Sequence, residues 1–535
     1  MRASRLCLSG LTPSVARWTL ALAMGLSLGT LPAVQAQQTL VVAAPQVPTG
    51  FDGDIPKVAT RQMIVQANES LVRFKRVTGA DGRVSLDPTQ IEGNLAESWT
   101  VSPDGKTFVF KLRQGVKSPW GNEMKADDIV WSLERAWNIK RTSFFLYGLT
   151  VGVQEFRKTG EYEVTIVTKT PTRMLLPMLT MYFPTLHDKA QVLKHATPDD
   201  PFGNKYIDQN LVGFGAYFID SFKPGEQVVL RANPNYFRGK PYYDRIIYRE
   251  VPSLANRVAL LKTGQVQWLE DTPLKQVADL KRDRTVKVES VTGTQPAAVK
   301  FNMGIKPFDD RRVRQAVVLA TDFEAFNKSV FEGLGIPVTS SVPPTVPGHV
   351  AAFTRPTRDI AKAKQLLAEA GYPNGIDLPY LYAGTYWWME PVSIQLKSQL
   401  AEAGIRLNVQ RIPDPEFVNR GLIKTRDMPM FPGGDATFVL DPVFTAQIFA
   451  QSNGVANRNA YKNAEVDQLI SAALVELDDT KRNELVARAQ KLHADDNDWL
   501  MLFYPGVHQV MNTCIKGWVW HPDDWPRFAD LRCER

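Results

Sequence analysis

Two hydrophobic rhythms alternate along this chain, one of period 3.6 and one of period 2, and that alternation confines the fold to the mixed α/β class. "DDIVWSLERAWN" places Ile129, Val130, Leu133, Ala136 and Trp137 on one helical face behind an aspartate cap. "RRVRQAVVLATD" does the same with Val313, Ala316, Val317 and Ala320. "RDIAKAKQLLAEAG" aligns Ile360, Ala363, Leu366 and Leu367 and stops at Gly371, a residue suited to ending a helix. Further helices read in "AEVDQLISAALVEL" and "RNELVARAQKLH". Between them lie the β-rich runs "KTFVFKL", "YEVTIVTK", "QVVLRA", "RIIYREV" and "IRLNVQRI". A chain of 535 residues is too long for one compact core, so two or three domains are expected.

The N-terminus reads as an export signal rather than as part of the fold. Arg2, Arg5 and Arg17 precede the apolar run "WTLALAMGLSLGTLPAV", which ends at Val34-Gln35-Ala36, small residues of the kind a signal peptidase reads. The run is short for a membrane span. Residues 1–36 are therefore expected to be removed, leaving an exported, periplasmic chain that begins near Gln37. Cys7 lies inside the signal and no cysteine sits just after the cut, so no lipid anchor is expected there. Losing three arginines and no acid takes the formal charge from +7 to +4, a bias too weak to argue for nucleic acid.

Cys514 and Cys533 remain. In an oxidising compartment they are expected either to pair, pinning the C-terminal tail, or to stay as two free thiols; spacing alone does not decide. A closed loop of that size contributes about 3 kcal/mol in the chain-entropy model.

Searches for catalytic constellations return little. The chain has no G-x-S-x-G elbow, no H-E-x-x-H pair and no P-loop, and "GFGAYF" is not a dinucleotide fingerprint. His187, His195, His349, His493, His508 and His521 show no metal-ligand spacing, and neither a metal nor another cofactor is expected. Two regions stand out as binding candidates instead. "YLYAGTYWWMEP" carries Tyr386, Trp387 and Trp388 in sequence, between a strand-like run and a helix, and three consecutive aromatics do not all face one core. "MFPGGDATFVLDP" sets two glycines before Asp435 and a second carboxylate at Asp441, which reads as a catalytic pair, a grip for a cation or an ordinary loop.

Several blocks together resemble the extracellular solute-binding proteins of family 5, the dipeptide-, oligopeptide- and nickel-binding components of ABC importers. They are "NLAESWTVSPDGKTFVFKLRQGVK", "KADDIVWSLERA", "GFGAYFIDSFKPGEQVVLRANPNYFRGKP", "FNMGIKPFDDRRVRQAVVLATD", "AKAKQLLAEAGYPNG" and "YKNAEVDQLISAALVELDDTKRNELVARAQKLHADD". The resemblance implies a two-lobed, hinged α/β fold with an extra domain on the first lobe. By analogy, residues 37–74, 213–299 and 501–535 form lobe 1, residues 75–212 the extra domain and residues 300–500 lobe 2. It also implies a monomer that encloses a small solute or short peptide between its lobes, presents it to a membrane permease and does no bond chemistry.

Peptide-binding relatives carry a tryptophan-x-x-aspartate-tyrosine-x-acid-proline motif whose aspartate holds the ligand's amino terminus. Asp441-Pro442 fits the acid-proline end, but the amine-binding position falls on Phe438 and the tryptophan position on Asp435. Either Asp435 reaches the same ammonium, or the ligand has none there and stacks on Phe438; the second reading is preferred. Tyr386, Trp387, Trp388 and Tyr504 are expected to line the cleft, with Tyr147 from the extra domain and Phe51 and Asp52 from lobe 1. Arg420 is a weaker candidate for a ligand carboxylate. Two other classes share these residues: an exported hydrolase using Asp435 and Asp441 as acid and base, and a sensory or chaperone-like binding protein.

Overall fold

The computed structural model describes residues 37–534 except 56, 58 and 422–424, so the export signal read at residues 1–36 lies outside the described residues. The run Leu40-Val41-Val42-Ala43-Ala44 makes strand Thr39–Ala44, which pairs in parallel with Arg245–Glu250 on one side and Trp268–Leu269 on the other. A nearly continuous apolar strand of this kind needs cover on both faces. The full sheet has seven strands, in the order Val286–Val291, Val507–Asn512, Trp268–Leu269, Thr39–Ala44, Arg245–Glu250, Gln227–Ala232 and Tyr217–Lys223. Three distant parts of the sequence thus meet in one layer.

A second sheet of four antiparallel strands runs Ile336–Pro337, Trp499–Tyr504, Ala297–Phe301 and Met430–Gly433. Every residue of Ala297–Phe301 and Trp499–Tyr504 is buried. Beside it, the parallel pair Ile376–Tyr382 and Ile405–Arg411 is joined through helix Met389–Ala401. These two sheets are the centres of two lobes. A third sheet, Ala96–Val101, Thr107–Leu112, Glu163–Thr168 and Val153–Gly160, packs Phe108, Phe110 and Ile166 against Ile129 and Leu133 of helix Ala126–Ile139. The turn Pro103-Asp104-Gly105 starts its second strand, with Gly105 at φ +68°.

The chain passes between the two lobe sheets at Thr292–Pro296 and again at Pro505–Gly506. Strands Ala297–Phe301 and Trp499–Tyr504 run through the divisions drawn from sequence at 299/300 and 500/501, so the crossings lie a few residues away from them. The crossings are side by side, because Val291 and Val507 are partners in the first sheet. Each contains a glycine of positive φ, Gly293 at +71° and Gly506 at +82°. A Cβ on Gly293 would fall 2.7 Å from Val507 Cγ2, so the Val507 side chain and the positive φ both disfavour a larger residue there.

Helices occupy Ala126–Ile139, Arg311–Ala320, Ile360–Glu369, Ala464–Val475 and Asp479–Asp495. The third of them stops just before Gly371, whose φ is +95°. The first begins differently from the aspartate cap read in its sequence. Its cap position is Lys125, and Asp128 reaches back to accept the Lys125 backbone N–H at 2.8 Å. Among the described residues no helix is long and apolar enough to cross a membrane. Cys514 and Cys533 are bonded, Cα to Cα 4.7 Å, and tie the short strands Ile515–Lys516 and Arg532–Cys533 together.

One buried ion cluster fastens the third sheet's helix to the first lobe. Arg135 is wholly buried and pairs with Asp52 and, at 3.1 Å, with Asp54, which also accepts from Thr185 Oγ1 at 2.8 Å. Removing one member leaves an uncompensated charge in the interior. Arg135→Ala is therefore expected to lower unfolding free energy by about 3–5 kcal/mol in chemical denaturation. A loss within experimental error would show that water already reaches the carboxylates.

Candidate functional site

Strand Ala297–Phe301 is apolar except for Lys300, which is 1% exposed. Its stem crosses the face of Gly433, where a Cβ would lie 2.6 Å from Lys300 Cε. Its ammonium lies 4.6 Å from the Trp499 ring centre and 5.5 Å from that of Phe449, and donates to Asp435 Oδ2 at 3.1 Å. Asp435 Oδ1 meets Arg458 at 3.1 Å. Burial pushes the Asp435 carboxyl up, but Lys300 and Arg458 together hold it below the usual carboxylate range. It is thus ionised and already occupied by two cations.

The paired glycines serve close approach rather than a tight turn, since neither has a positive φ. A Cβ on Gly434 would fall 2.7 Å from Trp388 Cζ2 and 3.2 Å from the Pro296 carbonyl. Trp388 ends up 1% exposed, stacked on Tyr386 with ring centres 5.8 Å apart and planes 4° from parallel. Trp387 turns the other way, stays 39% exposed, and stands edge-on to Phe331. The three consecutive aromatics therefore divide between core and cleft. The Tyr386 hydroxyl lies in the field of Asp435, Arg458 and Arg61.

Phe438 is half-buried, with the Arg61 guanidinium 5.5 Å above its ring centre. Arg61 belongs to helix Thr60–Ala67 beside the first sheet, so this contact spans the two lobes. The position that holds an amine-binding aspartate in the peptide pattern is here an aromatic ring under a cation. Lys300 and Arg458 meet on the carboxylate of Asp435, and Arg61 stands nearby over Phe438 and beside Tyr386, so this end of the cleft favours an anionic group.

Other expected residues take different places. Asp441 caps helix Pro442–Ala450 through the Phe444 N–H at 2.9 Å and pairs with Arg482 at 2.8 Å. Asp435 and Asp441 each serve their own cations, which removes the geometric basis for an acid and base pair. Tyr504 is 1% exposed at the end of strand Trp499–Tyr504, its hydroxyl without a partner, and it belongs to the second sheet. Phe51 is buried edge-on against Phe222 at 5.0 Å, and Asp52 is consumed by Arg135. The Tyr147 hydroxyl is buried and donates to the carbonyls of Met178 at 2.7 Å and Phe183 at 2.6 Å. Phe51, Asp52 and Tyr147 therefore act in packing and do not line the cavity described next. Arg420 is held at the surface by Asp427 at 3.0 Å.

A cavity of about 340 Å³ opens where the chain crosses between the lobes. Thr292, Gly293, Pro505 and Gly506 of the crossings line it, with Trp387 from the second lobe and Glu270 and Trp525 from the first. Of the residues expected from sequence, only Trp387 lines it. Arg61, Lys300, Arg458 and Glu270 carry no motif, so sequence reasoning missed them; the adjacent acids of "WLEDTP" are a local signal by which Glu270 could have been found. Among the described residues no group of three or more His, Cys, Asp or Glu is arranged to hold a metal.

The family model for bacterial extracellular solute-binding proteins, family 5, matches residues 90–457. The chain is 29% identical to the probable di/tripeptide-binding protein 5 of Pseudomonas aeruginosa (strain UCBPP-PA14), covering 94% of this chain and 96% of that one. Its fold superposes with a TM-score of 0.78 on the periplasmic binding protein DppA from Helicobacter pylori in complex with the peptide STSA, at 23% identity, 93% of this chain and 99% of that one. A second structure, MoaA from A. tumefaciens R10 in complex with mannopinic acid, gives a TM-score of 0.77 at 25% identity, over 94% of this chain and 100% of that one. The family that matches this two-lobed fold is one of solute-binding proteins. The chain belongs to the bacterial extracellular solute-binding proteins, family 5.

Asp435→Asn keeps the shape of this centre and removes its negative charge. Lys300 then stays buried beside Arg458 without a counter-charge. The variant is expected to lose about 3 kcal/mol or more of stability, read by urea denaturation at neutral pH. An unchanged midpoint would mean that the two cations find compensation elsewhere.

Proposed function

We propose that this protein captures a short peptide or a small organic solute of similar size in the cleft between its lobes. It works as a monomer in the periplasm, with its signal removed near Ala36, and hands its cargo to the membrane permease. The cargo carries an anionic group, directed to the Arg61, Lys300 and Arg458 end of the cleft, and places no ammonium at Phe438. The observation that carries this reading is the state of Asp435, saturated by Lys300 and Arg458 at 3.1 Å each and so without capacity for a ligand amine. Arg61 over the Phe438 ring supports it from the opposite lobe. The relatives accommodate such a change, since one is described as di/tripeptide-binding and a structural neighbour holds mannopinic acid.

Native mass spectrometry of the gently purified, signal-free protein tests it. The expected result is one copy of the chain with one organic solute bearing a carboxylate or another acidic group, and weaker retention of that solute in Arg458→Ala. A co-purified solute with no acidic group overturns the reading, as does a bound metal with nothing organic.

A further inference from the structure

The cavity at the crossings has a charge pattern that the Phe438 end does not explain. Glu270, Asp271 and Asp524 line it, and none of its described lining residues is Lys or Arg, in a chain whose formal charge is +7. Glu270 follows strand Trp268–Leu269 and is 6% exposed. Its Oε1 has no hydrogen-bond partner, and neither has Thr272 Oγ1 on the same wall. Asp524 accepts from Trp520 Nε1 at 2.8 Å and approaches the Gly293 crossing. Trp387 and Trp525 supply aromatic faces.

The buried carboxylates Asp52, Asp54 and Asp441 and the half-buried Asp435 each have a cation of the chain itself within reach. Glu270 does not. A carboxylate left in that state is costly unless its counter-charge arrives from outside. We propose that this cavity is the recognition site for a ligand ammonium, with Glu270 and Asp524 as its counter-charges and Trp387 and Trp525 packed on the adjoining carbon chain. The proposal rests on the reading that the anionic group of the cargo lies at Arg61, Lys300 and Arg458. The cargo is then zwitterionic or aminated at one end, and it touches both lobes and both crossings.

Charge state follows from the surroundings. Burial, with Asp271 adding to it, raises the Glu270 carboxyl to about 8. Burial raises Asp524 to about 7, with Asp523 adding and the Trp520 N–H opposing. Around Glu270 stand Asp271, Tyr248 two strands away in the sheet and Arg257, whose guanidinium is held by the carbonyls of Val251, Pro252 and Asp271. Asp524 and His508 line other parts of the same wall. His508 bonds Ser290 Oγ and the Pro505 carbonyl, and burial holds it below the usual histidine range, so it adds no positive charge at neutral pH. An arriving ammonium displaces protons from the two acids, and its affinity rises as pH rises from about 6 to about 8.5.

The test uses the full signal-free chain after exhaustive dialysis, with n-butylammonium, n-butanol and pentanoate as probes and tryptophan fluorescence as the readout. n-Butylammonium is expected to bind saturably and about tenfold more tightly at the upper pH, and to weaken about tenfold or more in Glu270→Gln. n-Butanol is expected to give no saturable change. Pentanoate should respond to Arg458→Ala and not to Glu270→Gln. No saturable n-butylammonium binding, equal binding of n-butanol, or indifference to Glu270→Gln overturns the proposal. If n-butylammonium fails while pentanoate still depends on Arg458, the ammonium site falls and the anionic end stands. Folding supplies an independent check. The Glu270 carboxyl titrates higher when folded than when unfolded, so stability is lost as pH rises toward 8, and glutamine removes that loss. Glu270→Gln should therefore melt at or above wild type at pH 8.5; a lower melting temperature would reveal an internal partner and overturn the proposal.

Discussion

A charge withdrawn from water needs an opposite charge or hydrogen-bond donors inside the protein, and opposite charges fix several interior carboxylates of this chain. Arg135 binds Asp52 and Asp54 and so joins a helix of the third sheet to the first lobe. Arg482 does the same for Asp441 at the start of helix Pro442–Ala450. Lys300 and Arg458 fix Asp435 at the edge of the cleft. In each case a group that reads in isolation as a functional acid is committed to a partner far away in sequence. The cleft is left with a cationic end and an acidic end, and that polarity distinguishes it from a merely apolar groove.

The regular elements were legible because they depend on local pattern. Helix Ile360–Glu369 could be bounded from its apolar spacing and Gly371 alone. The aspartate-proline pair at 441–442 was legible as a motif, and its helix-capping role follows from the same local chemistry. What the sequence did not disclose was pairing across long separations. Asp52 looked available because its partner, Arg135, lies 83 residues on. Asp435 needs a partner once enclosed, but nothing local names Lys300, which is 135 residues away. Glu270 and Asp524 share a cavity although they come from separate segments of the first lobe's sequence. Paired glycines allow either a tight turn or a close approach, and Gly433 and Gly434 take the second, letting Lys300 and Trp388 lie against bare backbone.

The aromatic loop shows how one short segment serves two masters. Trp388 and Tyr386 stack into the second lobe and fix the start of helix Met389–Ala401, which leaves Trp387 no space except the cleft. A ligand-facing tryptophan held by its own neighbours loses little rotamer freedom on binding, and this favours affinity without any further contact.

The two crossings between the lobes have a mechanical consequence. Val291 and Val507 are adjacent partners in one sheet, and a glycine follows the first within two residues and precedes the second directly. Two swivels side by side, at the rim of a single sheet, define a single axle. Bending about that axle is permitted, whereas shear and twist would tear the strand pairing that flanks it. The second lobe is thus restricted to the swing of a door on a two-pin hinge, and a solute lodged beside the pins acts with the shortest lever and the tightest coupling to the angle.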